Sequence, residues 1–215
     1  MAMIGILLPV LTGKPDNYFS VVGGSIRNLD DLQADAGSSE NYRVIYEILC
    51  HKSIEAFWSG DYVLAEEHSR NASAMVPVSI MPTMLLIYQT FFAGLVAFQL
   101  FRQVEANGMQ RLKEGKEMMD KMGKWAQIST ASMEVFENKW LLLKAEYTAA
   151  INERDADDPL GAEQFYQASI KSAGDHGNIH ELALAYELLG NYYAVNGGMA
   201  KSIVCYNYAY KHYKQ

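Results

Sequence analysis

The sequence predicts an all-α fold built from about four irregular pairs of antiparallel helices. Apolar residues recur with a helical period through most of residues 39–215, and Gly, Asn or Pro interrupts that period at intervals typical of helix length. The sequence shows no sustained period-2 alternation of the kind that would indicate a strand. The spacing of small and large residues after one break also recurs after another, which is typical of a repeat.

Eight helices follow from these breaks, because Gly and Pro end helices and Asn favours turns. They are predicted, in chain order, at Asn41–Ser59, Asp61–Val76, Pro82–Gln103, Gly108–Ile128, Phe136–Glu153, Pro159–Gly177, Ile179–Asn196 and Met199–Lys214.

Residues 1–38 form a separate segment that is predicted to be mostly loop. Residues 11–38 are rich in Gly, Asp, Ser and Asn and have no sustained period, and Gly23-Gly24 is a hairpin-like signal within them. The apolar start, MAMIGILLPVLTGKP, lacks a basic region and is interrupted by Pro9, so it is not typical of a targeting signal. We expect it to be a fragment of helix or a docking strand.

The repeat signal lies around Gly60 and Gly197. Residues at offsets +2, +5, +9 and +12 from these glycines are Tyr62, Ala65, Ser69 and Ala72 in the first case, and Met199, Ser202, Tyr206 and Ala209 in the second. Before the breaks, Leu49, Ser53 and Ala56 align with Tyr186, Gly190 and Tyr193. Small residues allow two helices of a pair to approach closely, and larger ones fill the space between pairs.

The stretch GDYVLAEEHSRNASAMVP, residues 60–77, resembles the tetratricopeptide repeat, with a G-D-Y-x-x-A turn, a large and a small residue in the second helix, and a following proline. Ala162, Tyr166 and Ser169 repeat the second-helix spacing, and Ala145 occupies the small position of its first helix. The pairs are not evenly spaced, because the middle pair matches poorly. The resemblance therefore implies a tetratricopeptide-like α-superhelix with irregular repeats.

Residues 40–215 also resemble the helical-repeat region of large multidomain signalling ATPases, the multi-sensor kinases. The resemblance comes from a K-W-A start, an L-L-x-A-E helix, an A-x-x-x-Y helix and a closing A-x-E-L-x-x-x-Y-x-x-x-G pair. The matching residues are Lys124, Trp125, Ala126, Leu142, Ala145, Glu146, Ala162, Tyr166, Ile170, Ala185, Glu187, Leu188, Tyr192 and Gly197. It implies a coupling array between ATPase and kinase modules that this chain lacks, hence a truncated or split relative.

The charge balance argues against nucleic-acid or anionic-membrane binding. Eighteen basic and 25 acidic residues give a net charge of −7, and no basic stripe with interleaved aromatic residues is present. Cys50 and Cys205 lie in helical patterns and form no redox or metal-binding pair, which favours a reducing, cytoplasmic environment.

The segment Ile80–Phe101 is uncharged and about as long as a membrane span. Gln89, Thr90 and Gln99 interrupt it, and no aromatic belt flanked by positive charge frames it. We interpret it as a helix in the centre of a helical stack, with a membrane-associated protein as the weaker alternative.

No catalytic motif supports an enzyme. The sequence contains no phosphate-binding loop, dinucleotide fingerprint, nucleophile elbow or zinc-protease pair. His176 and His180 are four residues apart but flank the break at Gly177-Asn178, which favours surface or capping roles over metal binding. We therefore predict no catalytic residue, cofactor or metal.

A stripe of mostly aromatic residues runs along one face of the last predicted helix. Ile203, Tyr206, Tyr210 and Tyr213 are spaced as one helical face. We interpret the stripe as inter-helix packing, since aromatic rings fill such space well. The alternative is a partner-binding surface, because a terminal repeat leaves one face open.

The leading functional hypothesis is a non-catalytic scaffold that binds a protein partner or couples adjacent ATPase and kinase signalling modules. The alternative is a truncated piece of an ATP-dependent multi-sensor kinase. The first helix of each tetratricopeptide-like pair lines the concave face, so the resemblance implies partner contacts at Glu47, Cys50, Phe57, Glu187, Asn191 and Ala194.

Overall fold

A computed structural model describes residues 19–22, 25–28, 33–34, 42–75, 83–103, 108–128, 130–152 and 159–215. The described residues are helical almost throughout, which confirms the all-α class. Their eight helices are α1 (Tyr42–Trp58), α2 (Tyr62–Met75), α3 (Thr83–Gln103), α4 (Gly108–Ala126), α5 (Thr130–Asn152), α6 (Pro159–Asp175), α7 (Ile179–Val195) and α8 (Met199–Tyr213).

Most helix ends lie within two residues of the predicted ones, because Gly and Pro define them chemically. The exception is the start of α5, which begins at Thr130 rather than at the predicted Phe136. Thr130 and Ser132 favour turns and weaken the helical signal there. The ring of Phe136 packs against that of Trp125 in α4, with centroids 5.8 Å apart, so tertiary contacts support this end of the helix.

Two short strands lie in the segment predicted to be mostly loop. Strand β1 (Phe19–Val22) pairs antiparallel with β2 (Ser25–Asn28), in a register that places Phe19 opposite Asn28 and Val22 opposite Ser25. The strands flank Gly23-Gly24, the hairpin-like signal. Strands of four residues are too short to show sustained alternation, so the sequence pattern missed them. The apolar segment at residues 1–15 lies outside the described residues.

The chain divides into two compact units, residues 1–100 and 101–215. In the first unit, α1 and α2 pack antiparallel: the Ser53 hydroxyl donates to the Ala65 carbonyl over 2.8 Å, and Phe57 contacts Tyr62 near the turn. The buried core around this pair consists of Ile45, Tyr46, Leu49, Cys50, Ala72 and Leu85. Burial of these apolar side chains is the main source of stability in this unit.

Helix α3 covers this pair. The ring of Phe92 packs against that of Phe57 at 5.1 Å. Buried Gln89 accepts a hydrogen bond from the Tyr46 hydroxyl at 3.0 Å and donates to the Ser73 hydroxyl at 2.8 Å. Among the described residues, α3 is long and apolar enough to span a membrane, but 72% of that window is buried inside the protein. The core helices of folded proteins have the same length, composition and burial.

In the second unit, α4 to α8 pack each against the next. The Ser169 hydroxyl of α6 donates to the Asn138 carbonyl of α5, and the rings of Tyr166 and Tyr192 join α6 to α7. Ion pairs also join helices that are not consecutive in the chain. Lys139 of α5 lies 2.7 Å from Glu181 of α7, and both side chains are buried.

Three of the turns between helices share one geometry. Gly60, Gly177 and Gly197 have φ of 80°, 69° and 78°. At each turn, the amide after the glycine donates to the carbonyl five residues earlier, as Asp61 does to Ala56 and Gly198 to Tyr193. This is the Schellman arrangement, in which a left-handed residue satisfies the last carbonyls of a helix.

Replacing Gly197 by alanine is expected to lower the free energy of unfolding by about 1 kcal/mol, because a Cβ opposes the left-handed conformation. Gly197→Asn should cost less, since asparagine tolerates this region. Gly198→Ala is the matched control, because Gly198 has φ of −87°. Urea denaturation measures the three variants, and equal losses at both glycines would contradict the expectation.

Candidate functional site

A groove of about 610 Å³ lies between α6 and α8, with α7 forming its floor. The groove is largely apolar. Its apolar lining comprises Ile170 of α6, Tyr186, Leu189 and Tyr193 of α7, and Val204 and Tyr208 of α8. Such a concave apolar surface, bordered by a few polar groups, is the usual form of a binding site in a protein.

Close packing of α8 on α7 positions the groove floor. Gly190 lets the two helices approach, since a Cβ there would lie 2.8 Å from the Tyr206 ring. The Tyr206 hydroxyl donates to Asn191 at 2.7 Å, and the Tyr213 hydroxyl donates to Glu187 at the same distance. These contacts fix the rotation of α8 about its axis, and so determine which of its side chains face the groove.

Aromatic stacking fixes one end of the groove. The Tyr186 ring stacks with the rings of Tyr208 and His212 of α8, with centroids 5.1 Å and 5.9 Å away. Burial raises the pKa of Tyr186 above its usual value. Burial also raises the pKa of Tyr193, with a further contribution from the nearby Glu163 carboxylate. Both tyrosines therefore stay neutral at physiological pH and act as aromatic surfaces with hydroxyl donors.

Lysines supply most of the charge at the groove. The Lys201 ammonium lies 3.5 Å from Glu163 and 4.8 Å from the centre of the Tyr193 ring, so its charge is partly neutralised. Lys171 lines the groove on α6, and Lys211 follows the groove-lining Tyr208 by three residues on α8. Both lysines are exposed, and within the described part of the chain neither has an ion-pair partner.

Helix α8 also exposes a large apolar surface outside the groove. Met199, Ile203 and Tyr210 are each more than half exposed. The interpretation of the aromatic stripe as packing is therefore wrong for Ile203 and Tyr210, while Tyr206 and Tyr213 do contact α7. The stripe is therefore wider than its contact with α7.

The predicted contact positions divide into two groups. Glu187 and Asn191 lie on the α7 surface facing α8 and accept hydrogen bonds from its tyrosines, and Ala194 is half-buried. Glu47 is half-buried and accepts a hydrogen bond from Arg43. The structure does not bring Glu187, Asn191 and Ala194 into the α6–α8 groove, so these predicted contacts lie beside it.

Cys50 and Phe57 require a correction. Cys50 is 1% exposed within the core of α1 and α2, and Phe57 is buried against Tyr62 and Phe92. The face of α1 that carries them is covered by α2 and α3, because both residues lie on the apolar side of the helix. They support the fold and cannot contact a partner at the surface.

Sequence reasoning also missed two buried ionic groups in the second unit. Arg102 donates to the Glu146 carboxylate at 2.5 Å, and the Tyr166 hydroxyl donates to the other oxygen of the same carboxylate. Burial, followed by the nearby Glu146 charge, raises the pKa of Tyr166 well above its usual value. Glu146 and Tyr166 are each 1% exposed, so this group and the Lys139–Glu181 pair hold helices together.

The two thiols are unsuited to nucleophilic chemistry. Burial raises the pKa of Cys50 to about 12, and burial also raises the pKa of Cys205, which lines the groove. The thiolate is the reactive form, and little of it exists at neutral pH under these conditions. Among the described residues, no group of three or more His, Cys, Asp or Glu could hold a metal ion.

We expect both thiols of the native chain to react with Ellman's reagent at least about a hundredfold more slowly than in denaturing urea, because burial suppresses thiolate formation and access. Cys50 should be the slower of the two, since it is the more deeply buried. The Cys205→Ser variant isolates Cys50. Equal rates in native buffer and in urea would contradict the burial of these thiols.

Protein-family models, curated proteins and solved structures yield no match to this chain. The resemblance to multi-sensor kinases remains a prediction.

Proposed function

We propose that this chain is a non-catalytic, tetratricopeptide-like scaffold that binds a protein partner through the surface formed by α6, α7 and α8. The observation that carries the proposal is the combination of an apolar groove with an adjacent exposed apolar face on α8. Contiguous exposed apolar surface on a globular protein marks interaction sites. Aromatic residues are enriched at such interfaces, and Tyr186, Tyr193 and Tyr208 line this one.

Recurring turns and recurring buried small residues support the repeat interpretation. The Schellman turns at Gly60 and Gly197 close one pair each, and the positions five and twelve residues later are buried in both: Ala65, Ala72, Ser202 and Ala209. Ala162 and Ser169 are buried at the corresponding positions of α6. Pairs that share one closing geometry and one close-approach pattern are the units from which helical arrays are built.

The Lys139–Glu181 ion pair supports lateral stacking of these units. It joins α5 to α7, the first helices of the two consecutive pairs α5–α6 and α7–α8. The Lys201–Glu163 pair likewise joins their second helices, α8 and α6. First-to-first and second-to-second contacts are what a column of similar pairs requires, because each pair then contacts its neighbour in the same way.

The chemistry of the groove favours binding over catalysis. Its thiol has a raised pKa, and the carboxylate of Glu163 is paired with Lys201. General acid–base or nucleophilic catalysis needs a group whose pKa is shifted towards neutrality, or a nucleophile beside a base.

A non-catalytic chain should give no binding heat with Mg·ATP in titration calorimetry. Saturable nucleotide binding would contradict the scaffold and favour the kinase-fragment alternative.

A peptide library displayed on phage tests partner binding at this surface. The immobilised baits are the wild-type chain, Val204→Asp and Val63→Asp. Val204 is 52% exposed at the groove, and Val63 is 60% exposed on α2, so both substitutions place the same charge on an exposed helix. Circular dichroism confirms that all three baits are folded.

The expected result is a family of peptides that is enriched on the wild-type chain and on Val63→Asp, and lost on Val204→Asp. A carboxylate in an apolar groove must be desolvated by the bound peptide, which costs binding free energy. Enrichment that Val204→Asp leaves unchanged would place binding elsewhere, and no enrichment at all would contradict the scaffold function.

A further inference from the structure

We infer that the α6–α8 groove binds an acidic amphipathic helix of a partner protein. This inference deepens the proposed function and rests on it. Three features carry the inference: the length of the groove, its apolar lining, and the sign of the charge along its walls.

The dimensions of the groove fit a short helix. Its lining residues run from Glu163 to Lys171 on α6 and from Ala200 to Tyr208 on α8. At a rise of 1.5 Å per residue, each wall is about 12 Å long, which corresponds to two to three helical turns. A helix that fills such a groove inserts one apolar stripe, with anchors at i, i+3, i+4 and i+7.

The floor and walls supply apolar contacts for that stripe. Leu189 lies on the floor, and Ile170 and Val204 lie on the two walls. The rings of Tyr186 and Tyr208 stack on each other at one end of the groove and add to its lining. When two helices pack, the side chains of one fill the groove between ridges of the other. The apolar floor and the two walls offer a further helix contacts of this kind.

The charge on α8 determines the chemistry of the occupant. The helix carries Lys201, Lys211 and His212, Lys214 follows its last residue, and it contains no Asp or Glu, although the whole chain has a net charge of −7. Lys171 adds a second exposed cation on the facing wall. Glu163 offsets Lys201 alone. The groove is therefore locally basic on an acidic protein, which selects acidic side chains at its rim.

This charge argues against the α8 helix of a second copy as the occupant. Two α8 helices packed together would bring only cations to the contact, in either direction, because α8 supplies no carboxylate. Like charges that face each other across an interface cost binding free energy. The net charge of −7 adds repulsion between copies.

Fluorescence anisotropy with two synthetic peptides tests the inference. Both are acetylated, amidated and labelled, are about four helical turns long, and carry Leu at the same i, i+3, i+4 and i+7 positions. One has Glu and the other has Lys on the polar face. We expect the wild-type chain to bind the Glu peptide at least about tenfold more tightly, with a preference that shrinks as salt is added.

Charge reversal at the groove supplies the matched comparison. Lys171→Glu should weaken binding of the Glu peptide by about tenfold, since it replaces an attraction by a repulsion. Lys124→Glu is the control, because Lys124 is an exposed residue of α4 and the change in net charge is the same. Both lysines are exposed, so both variants should fold as the wild-type chain does.

Other results would overturn the inference while leaving the proposed function intact. One is equal binding of the Glu and Lys peptides, with Val204→Asp abolishing the binding of both. Another is failure of both peptides to bind although the displayed library still yields groove-dependent binders. A third is an equal loss of Glu-peptide binding for Lys171→Glu and Lys124→Glu. Self-association in sedimentation that Val204→Asp removes would assign the groove to a second copy. Displacement of the Glu peptide by a thymine oligonucleotide would assign it to nucleic acid. Failure of both peptides and of the library would contradict the proposed function itself.

Discussion

Replacing Glu146 by alanine is expected to lower the free energy of unfolding by about 3 kcal/mol. The carboxylate is 1% exposed, accepts a 2.5 Å hydrogen bond from Arg102, and also accepts the hydrogen bond of the Tyr166 hydroxyl. Its removal deprives the Tyr166 hydroxyl of this acceptor and the Arg102 guanidinium of its ion-pair carboxylate, although the guanidinium keeps its hydrogen bond to the backbone carbonyl of residue 146. Breaking one member of a buried ionic group costs far more than the net value of the pair.

The control for this prediction is Asp120→Ala. The Asp120 carboxylate lies 2.7 Å from Lys116 in α4, but both side chains are nearly half exposed. An exposed pair four residues apart on one helix contributes little to stability, because solvent screens the two charges. Urea denaturation gives the free energy of unfolding of both variants. The two ion pairs have similar distances, so they differ mainly in burial. A loss for Glu146→Ala no larger than that for Asp120→Ala would contradict the buried network.

Replacing Lys139 by methionine is expected to cost a similar amount, about 3 kcal/mol, because it removes the cation that lies beside the buried Glu181 carboxylate. The two groups are 2.7 Å apart, and their side chains are 4% and 10% exposed. The double variant Lys139→Met/Glu181→Leu should regain more than half of the loss, since two apolar side chains of similar volume replace the pair.

The same denaturation experiment on the single and double variants gives the coupling free energy between α5 and α7. The outcome against this contact is a double variant that is less stable than the wild-type chain by the sum of the two single losses. Additive losses would mean that Lys139 and Glu181 do not interact in solution.

The helices could be predicted from the sequence because local chemistry defines them. Gly60, Gly177 and Gly197 end helices through a backbone conformation that other residues avoid, and the apolar period between the breaks is long. The small residues Ala65 and Ala209 at the repeated offsets are buried, and their role as close-approach positions stays a prediction. Each of these signals needs only a short window of sequence.

The ionic contacts and the groove could not be predicted in this way. Lys139 and Glu146 are chemically typical surface residues, and their partners Glu181 and Arg102 lie about forty residues away in sequence, beyond any local window. The groove needs side chains from three helices at one place. One signal was visible in the sequence: α8 combines many large apolar residues with lysines and has no carboxylate. That composition is unusual for a helix whose only role is packing.

The proposed stacking of α5–α6 on α7–α8 is tested most directly by amide hydrogen exchange on the intact wild-type chain and on Lys139→Met. If the pairs stabilise each other, loss of Lys139 should accelerate exchange in both α5 and α7, although the substitution lies in α5 alone. Acceleration confined to α5, with α7 exchanging as in the wild-type chain, would show that the pairs do not support each other and would contradict the helical array.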